Sequence, residues 1–207
     1  MGTHPPQRPP SSGIINTSNL SVEPDQAHNL CRSPTASALL ASRLASADSD
    51  ISVDSAGQLD LGAQSPPEVI TAGHPLGVDL SGHRGRQMTP ADIKGADLIL
   101  GMTREHVREV VTMEPGAWSR TFTLPEIVRR GQAVGPRGVG QSLDEWLIFV
   151  HQGRRTVDLQ GKSAKDDIDD PLGGSARQYR ESAESIAGLV DELARLAWPD
   201  PTGSDRQ

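Results

Sequence analysis

Asn29-Leu30-Cys31-Arg32-Ser33-Pro34 is the stretch whose residue types and order could do chemistry. A phosphate site needs backbone N–H groups turned inward, a helix N-terminus behind them and a fixed cation. Residues Ala27, His28, Asn29, Leu30, Cys31, Arg32 and Ser33 could supply such a loop. Arg32 would hold two oxygens of the anion through its planar fork. Asn29 would brace the loop through its amide. Ser33 could cap the following helix or bond the anion, and Pro34 suits a first helical turn. The plain alternative is an ordinary Ser-Pro helix start with a solvated arginine. A cysteine six residues ahead of Arg32 would complete the Cys-x5-Arg spacing that sets a thiolate against a bound phosphoryl group. Gln26 occupies that position.

The second constellation is Asp166-Asp167-Ile168-Asp169-Asp170-Pro171. An aspartate before proline is held extended and can be aimed from a loop, which suits a general acid. The bland reading is a solvated acidic loop. The run lacks the glycine and terminal glutamate of a calcium loop, so no metal is called for. His74, His106 and His151 have no partner at catalytic spacing, and His83 reads as structural. Ser55, Ser81 and Ser142 lack the glycine pattern of a nucleophile elbow.

Elements able to position these groups follow from the patterning. The 207 residues fit one domain with tails. With few aromatics the core must be aliphatic and alanine-rich. A net charge of −7 argues against nucleic acid as a partner. A single cysteine excludes an internal disulfide or a multi-cysteine metal site. No apolar run is long enough to span a membrane, and a cytoplasmic location is the default expectation. Residues 1–28 are rich in proline and serine, and are expected to be disordered or aberrant. Downstream, strands at Ile51–Val53, Leu98–Leu100 and Thr121–Thr123 alternate with helices, which implies a parallel α/β sheet. Short helices are expected after Pro66, Thr89 and Thr103, and from Leu124 to Arg130, followed by a glycine-rich loop from Gly131 to Gln141. Ser142 with Glu145, and Ser175 with Gln178, make capping boxes for two further helices. The second of these carries an apolar stripe from Tyr179 to Ala197.

Together these pieces resemble the low-molecular-weight protein tyrosine phosphatase family, whose relatives include arsenate reductases. The resemblance rests on Asn29, Cys31, Arg32, Ser33 and Pro34, on Ser55-Ala56-Gly57, on Gly77-Val78-Asp79-Leu80-Ser81-Gly82-His83-Arg84, on Ala96-Asp97-Leu98-Ile99-Leu100-Gly101-Met102, and on Asp170-Pro171. It covers about residues 29 to 198. It implies a three-layer α/β sandwich with a small, about four-stranded parallel sheet. It divides the chain into an N-terminal segment, 1–28, a phosphatase-like domain, 29–199, and a flexible tail, 200–207. The implied partner is a phosphotyrosine protein or phosphate-like anion, with no cofactor. Arg32 would clamp the phosphoryl group and Asp170 would protonate the leaving phenol.

The departures lie almost entirely upstream of Asn29; downstream, Leu172 stands where the family often has a Tyr after its Asp-Pro. A neutral amide at Gln26 cannot form the phospho-intermediate, and His28 occupies a glycine position of the family. Cys31 cannot take over, because its side chain should point away from the enclosed anion. An inactive or severely impaired scaffold is therefore expected, with a non-catalytic phosphoprotein- or anion-binding module as an alternative. The family's first central strand falls in register on Val22-Glu23-Pro24-Asp25, where proline and buried carboxylates are disfavoured. That strand is expected to be degraded, or partly replaced by Ile14 to Val22. A shifted reading frame or misplaced start over residues 1–28 would account for the abrupt change, and would make the true protein an active phosphotyrosine phosphatase.

Overall fold

A computed structural model describes residues 12–17 as backbone, and residues 30–45, 51–57 and 62–199 in full. Four parallel strands, β1 (Ser12–Thr17), β2 (Ser52–Gly57), β3 (Ala96–Gly101) and β4 (Thr121–Thr123), form one sheet in the order β2-β1-β3-β4. The seven α-helices among the described residues are α1 (Arg32–Leu44), α2 (Pro67–Gly73), α3 (Pro90–Gly95), α4 (Arg104–Met113), α5 (Leu124–Val134), α6 (Leu143–His151) and α7 (Ala176–Ala197).

The central strand is Ser12–Thr17, which overlaps the start of the Ile14 to Val22 stretch expected as a partial replacement and begins two residues upstream of it. Ser12–Thr17 pairs with both β2 and β3, with a register shift between Ser12 and Gly13. The position expected of Val22 to Asp25 is thus filled from further upstream, inside the segment expected to be disordered. Residues 1–11, 18–29 and 200–207 lie outside the described residues.

Helices cover both faces of the sheet. Leu98 and Leu100 of β3 pack with Leu39 and Leu40 of α1, Ile127 of α5, and Ile186, Val190 and Leu193 of α7. Ile99, between them in sequence, joins Ile93, Val110 and Ala117 on the other side. This alternation is what a strand buried on both faces requires. The buried positions Ile186, Val190, Leu193 and Ala197 of α7 recur at helical spacing. Both capping boxes read from the sequence form, and Thr89 makes a third with Asp92.

Two local expectations are corrected. Cys31, not Ser33, is the N-cap residue of α1, and no side chain caps that helix. Helix α5 also runs past Arg130 into the stretch expected to be a loop. Gly131 permits this by lying against Trp146 and Leu196, where a Cβ would meet ring and methyl atoms at 3.0 and 3.1 Å. The burial of that indole and leucine outweighs the weak helix propensity of glycine.

Candidate functional site

The N-terminus of α1 opens at the carboxyl end of the sheet, where parallel α/β folds bind ligands. Its first residue, Arg32, is almost wholly buried, with a side chain 5% exposed. The guanidinium reaches across to the loop before α7. Nη1 donates to the carbonyl of Ile168 at 2.6 Å, and Nη2 to Oδ2 of Asp170 at 2.7 Å. The other oxygen of Asp170 accepts the Leu172 N–H at 3.1 Å. The two residues proposed from sequence as clamp and acid, 138 positions apart, therefore touch.

Ser33 and Cys31 turn elsewhere. Ser33 is fully buried and its hydroxyl has no hydrogen-bond partner among the described residues. Cys31 packs with Val69 and Ala72 of α2 and with Tyr179 and Ala183 of α7. Burial pushes its thiol up to about 12; Asp170 adds to the rise, and Arg32 only partly offsets it. The space beside the sulfur is a cavity of about 10 Å³, too small for a phosphate ester. Asp170 instead borders an open cleft of about 510 Å³ shared with Asp169, Gln178 and Glu181. Leu30 is buried in the same cluster as Cys31, Val69 and Tyr179. Gln26, Ala27, His28 and Asn29 lie outside the described residues.

The acidic run divides its labour. Asp166 is buried and takes Arg104 Nη2 at 2.7 Å and Arg129 Nη2 at 2.8 Å. Burial alone would raise its pKa, but those two arginines outweigh it and hold the carboxyl below its usual range. Asp167 accepts the N–H of Arg104 at the start of α4 and that of Ser163, both at 2.7 Å. Ile168 donates its N–H to the carbonyl of Met102 at 2.8 Å. Asp169 is exposed.

Sequence reasoning missed His106. It is buried beside the end of β3, where Gly101 leaves no room for a Cβ, since one would meet His106 Cβ at 2.9 Å. Its Nδ1 accepts the Met102 N–H at 3.1 Å, which places the ring hydrogen on Nε2. That atom is buried without a partner among the described residues. Burial, then the charges of Arg32 and Arg108, hold its pKa well below the ordinary value, so the ring is neutral at pH 7. Only the Gly101-Met102-Thr103 turn, which brings the ring back over the strand end, could have hinted at it. Among the described residues no group of three or more His, Cys, Asp or Glu side chains is placed to hold a metal ion. No helix among them is long and apolar enough to cross a membrane.

The model of one family, low molecular weight phosphotyrosine protein phosphatase, matches residues 27–133. The chain belongs to that family. This phosphatase-family chain is 34% identical over 116 residues to the low molecular weight protein-tyrosine-phosphatase Etp of Escherichia coli, covering 50% of this chain and 74% of Etp. It is 36% identical over 126 residues to the probable phosphatase EpsP of Ralstonia nicotianae, covering 60% of this chain and 84% of EpsP. Among solved structures, the YwlE arginine phosphatase of Geobacillus stearothermophilus superposes with a TM-score of 0.62 at 25% identity, over 88% of this chain and 90% of that one. The family match begins one residue past Gln26.

Proposed function

We propose that this chain is a phosphate-monoester scaffold of the phosphotyrosine phosphatase type that binds its phosphoryl ligand through Arg32 and hydrolyses it extremely slowly or not at all. The observation that carries the reading is the state of Cys31. It is the single cysteine of the chain, it is buried, and its thiol is pushed up to about 12. A thiol in that state is not a nucleophile at neutral pH. Gln26, at the spacing where a thiolate would attack, offers only a neutral amide.

The rest of the apparatus is compatible with recognition. Arg32 is oriented by Ile168 and Asp170, and an incoming dianion would take the place of the Asp170 carboxylate on the guanidinium. Asp170 borders the open cleft, as an acid for a departing phenol would have to. Loop residues Ala27 to Ser33 would supply backbone donors, and the orphaned hydroxyl of Ser33 is available to one phosphate oxygen. A phosphotyrosine protein is the partner that this family membership favours.

Turnover of para-nitrophenyl phosphate by the full chain, run beside an active relative such as Etp, tests the reading. In a serine protease, loss of the nucleophile lowers turnover by about 10⁶-fold, and a loss of that order is expected here. Vanadate should still raise the melting temperature, and Arg32→Ala should remove the part of that rise that comes from this site. Rapid turnover that disappears in Asp170→Asn would overturn the proposal.

A further inference from the structure

A second basic cavity lies behind the acidic loop. It is lined by Arg104, Arg129, Arg130, Arg154, Arg155 and Lys165, against only three carboxylates, those of Glu126, Asp158 and Asp166. The chain as a whole carries −7, so this concentration of positive charge runs against its surroundings. A cleft lined by one sign of charge focuses its field on a counter-ion.

Two of the six arginine and lysine side chains are committed to structure. Arg154 has a side chain 1% exposed, makes a two-pronged pair with Glu126 and stacks on Trp118 and Phe122 at 3.8 and 3.9 Å. Arg130 donates to Glu126 and to the carbonyls of Val150 and Gln152. The other four face the cavity with capacity to spare. Lys165 is exposed and has no partner among the described residues. Arg155 is largely exposed and holds only the exposed Asp158. The Nε of Arg129 is buried without a partner among the described residues. Arg104 and Arg129 converge on one acceptor, the carboxylate of Asp166, at 2.7 and 2.8 Å. That internal carboxylate marks where an anion is held; it is shared by two arginines, while Lys165 holds no carboxylate among the described residues and Arg155 holds only the exposed Asp158.

We propose that this cavity is a binding site for a compact, multiply charged phosphate anion, separate from the Arg32 site. At about 180 Å³ it is smaller than the ~300–1,000 Å³ of sites for drug-sized molecules, and it suits one or two phosphate groups. Guanidinium forks and an ammonium converging from several directions match the oxygens of a phosphate better than those of a carboxylate. Such an anion would engage Lys165, Arg155 and the free edge of Arg129, and would share Arg104 with Asp166. It could be free or carried on a phosphorylated protein.

Calorimetric titration of the full chain with inorganic pyrophosphate, and separately with a peptide bearing two adjacent phosphoserines, tests the site. At constant ionic strength at least one of the two should bind, and the one that does identifies the source. Lys165→Glu combined with Arg155→Ala should weaken that binding about tenfold or more, one charge-assisted contact being worth roughly that factor. Both side chains are exposed, so the variant is expected to fold. Binding by that probe should persist in Arg32→Ala, which removes any anion held at the proposed phosphoryl site and so separates the two sites whether or not the chain turns over substrate. Absence of binding by either probe, binding indifferent to the Lys165 and Arg155 changes, or binding lost in Arg32→Ala would each overturn the proposal.

Discussion

Replacing Asp170 by asparagine should move stability and anion affinity in opposite directions. In the wild-type chain Arg32 Nη2 sits 2.7 Å from Asp170 Oδ2, with side chains 5% and 24% exposed. A hydrogen bond to a charged group contributes about 1.5–3 kcal/mol, and partial exposure of Asp170 places this one at the low end. Asparagine keeps the shape and one acceptor oxygen, so the expected loss is about 1–2 kcal/mol. For a chain of this size each kcal/mol lowers the melting temperature by roughly 2–4 °C, giving a fall of about 2–8 °C. The same change releases Arg32 from an internal competitor. An incoming dianion no longer has to displace a carboxylate, and each 1.4 kcal/mol so removed tightens binding about tenfold. Differential scanning fluorimetry with and without vanadate reads both effects, with Arg32→Ala as the control for anion held elsewhere. An Asp170→Asn variant that melts with the wild type and binds vanadate no more tightly would refute the view that this ion pair holds the guanidinium in reserve.

Cys31 should resist iodoacetamide. With its thiol pushed up to about 12, its thiolate fraction at pH 7.5 is on the order of 10³-fold below that of a free cysteine, and labelling followed by mass spectrometry should be slower in proportion. Because the folded state raises this pKa above the unfolded value of about 8.5, the contribution of Cys31 to stability is complete below that pH and is lost as pH climbs toward 12. Alkaline urea melts should therefore show a smaller pH-dependent loss in Cys31→Ala than in wild type, and equal losses would refute the assignment. Gly131→Ala should destabilise by about 1–2 kcal/mol despite the better helix propensity of alanine, because its Cβ would press on Trp146 at 3.0 Å and Leu196 at 3.1 Å. A urea midpoint at or above wild type would show that the indole can move aside.

Local signals were legible where both partners sit within one turn of each other. Ser142 with Glu145, and Ser175 with Gln178, announce their helices because a capping box needs only four consecutive residues. The apolar stripe of α7 and the buried run of β3 are periodic in the same local sense. The location of β1 was legible only in part: the expected substitute stretch Ile14 to Val22 overlaps it, but what makes Ser12–Thr17 the central strand is pairing with β2 and β3, tens of residues away. Nor could patterning tell that α5 continues through Gly131, because the compensation comes from Trp146 and Leu196. At the candidate site, the meeting of Arg32 with Asp170 followed from family resemblance and not from spacing. The acidic run looked uniform in sequence, yet its members part company according to which arginine or N–H lies opposite, and Arg104 and Arg129 belong to other helices. His106 stayed hidden because a lone histidine on a helix carries no mark of what the preceding turn folds against it.

The span from Asp166 to Asp170 is fastened at three points along five residues: to α4 and α5 at its start, to Met102 in its middle and to α1 at its end. A segment pinned so often has a fixed gauge. Exchanging the exposed Asp169 for another residue leaves the fastenings in step. Adding or removing a single residue cannot, because satisfying the arginines of α4 and α5 would then carry the terminal carboxylate past the arginine of α1. The reach of the Asp170 side chain is thus set by chain length between anchors, and this short span behaves as a ruler rather than a hinge.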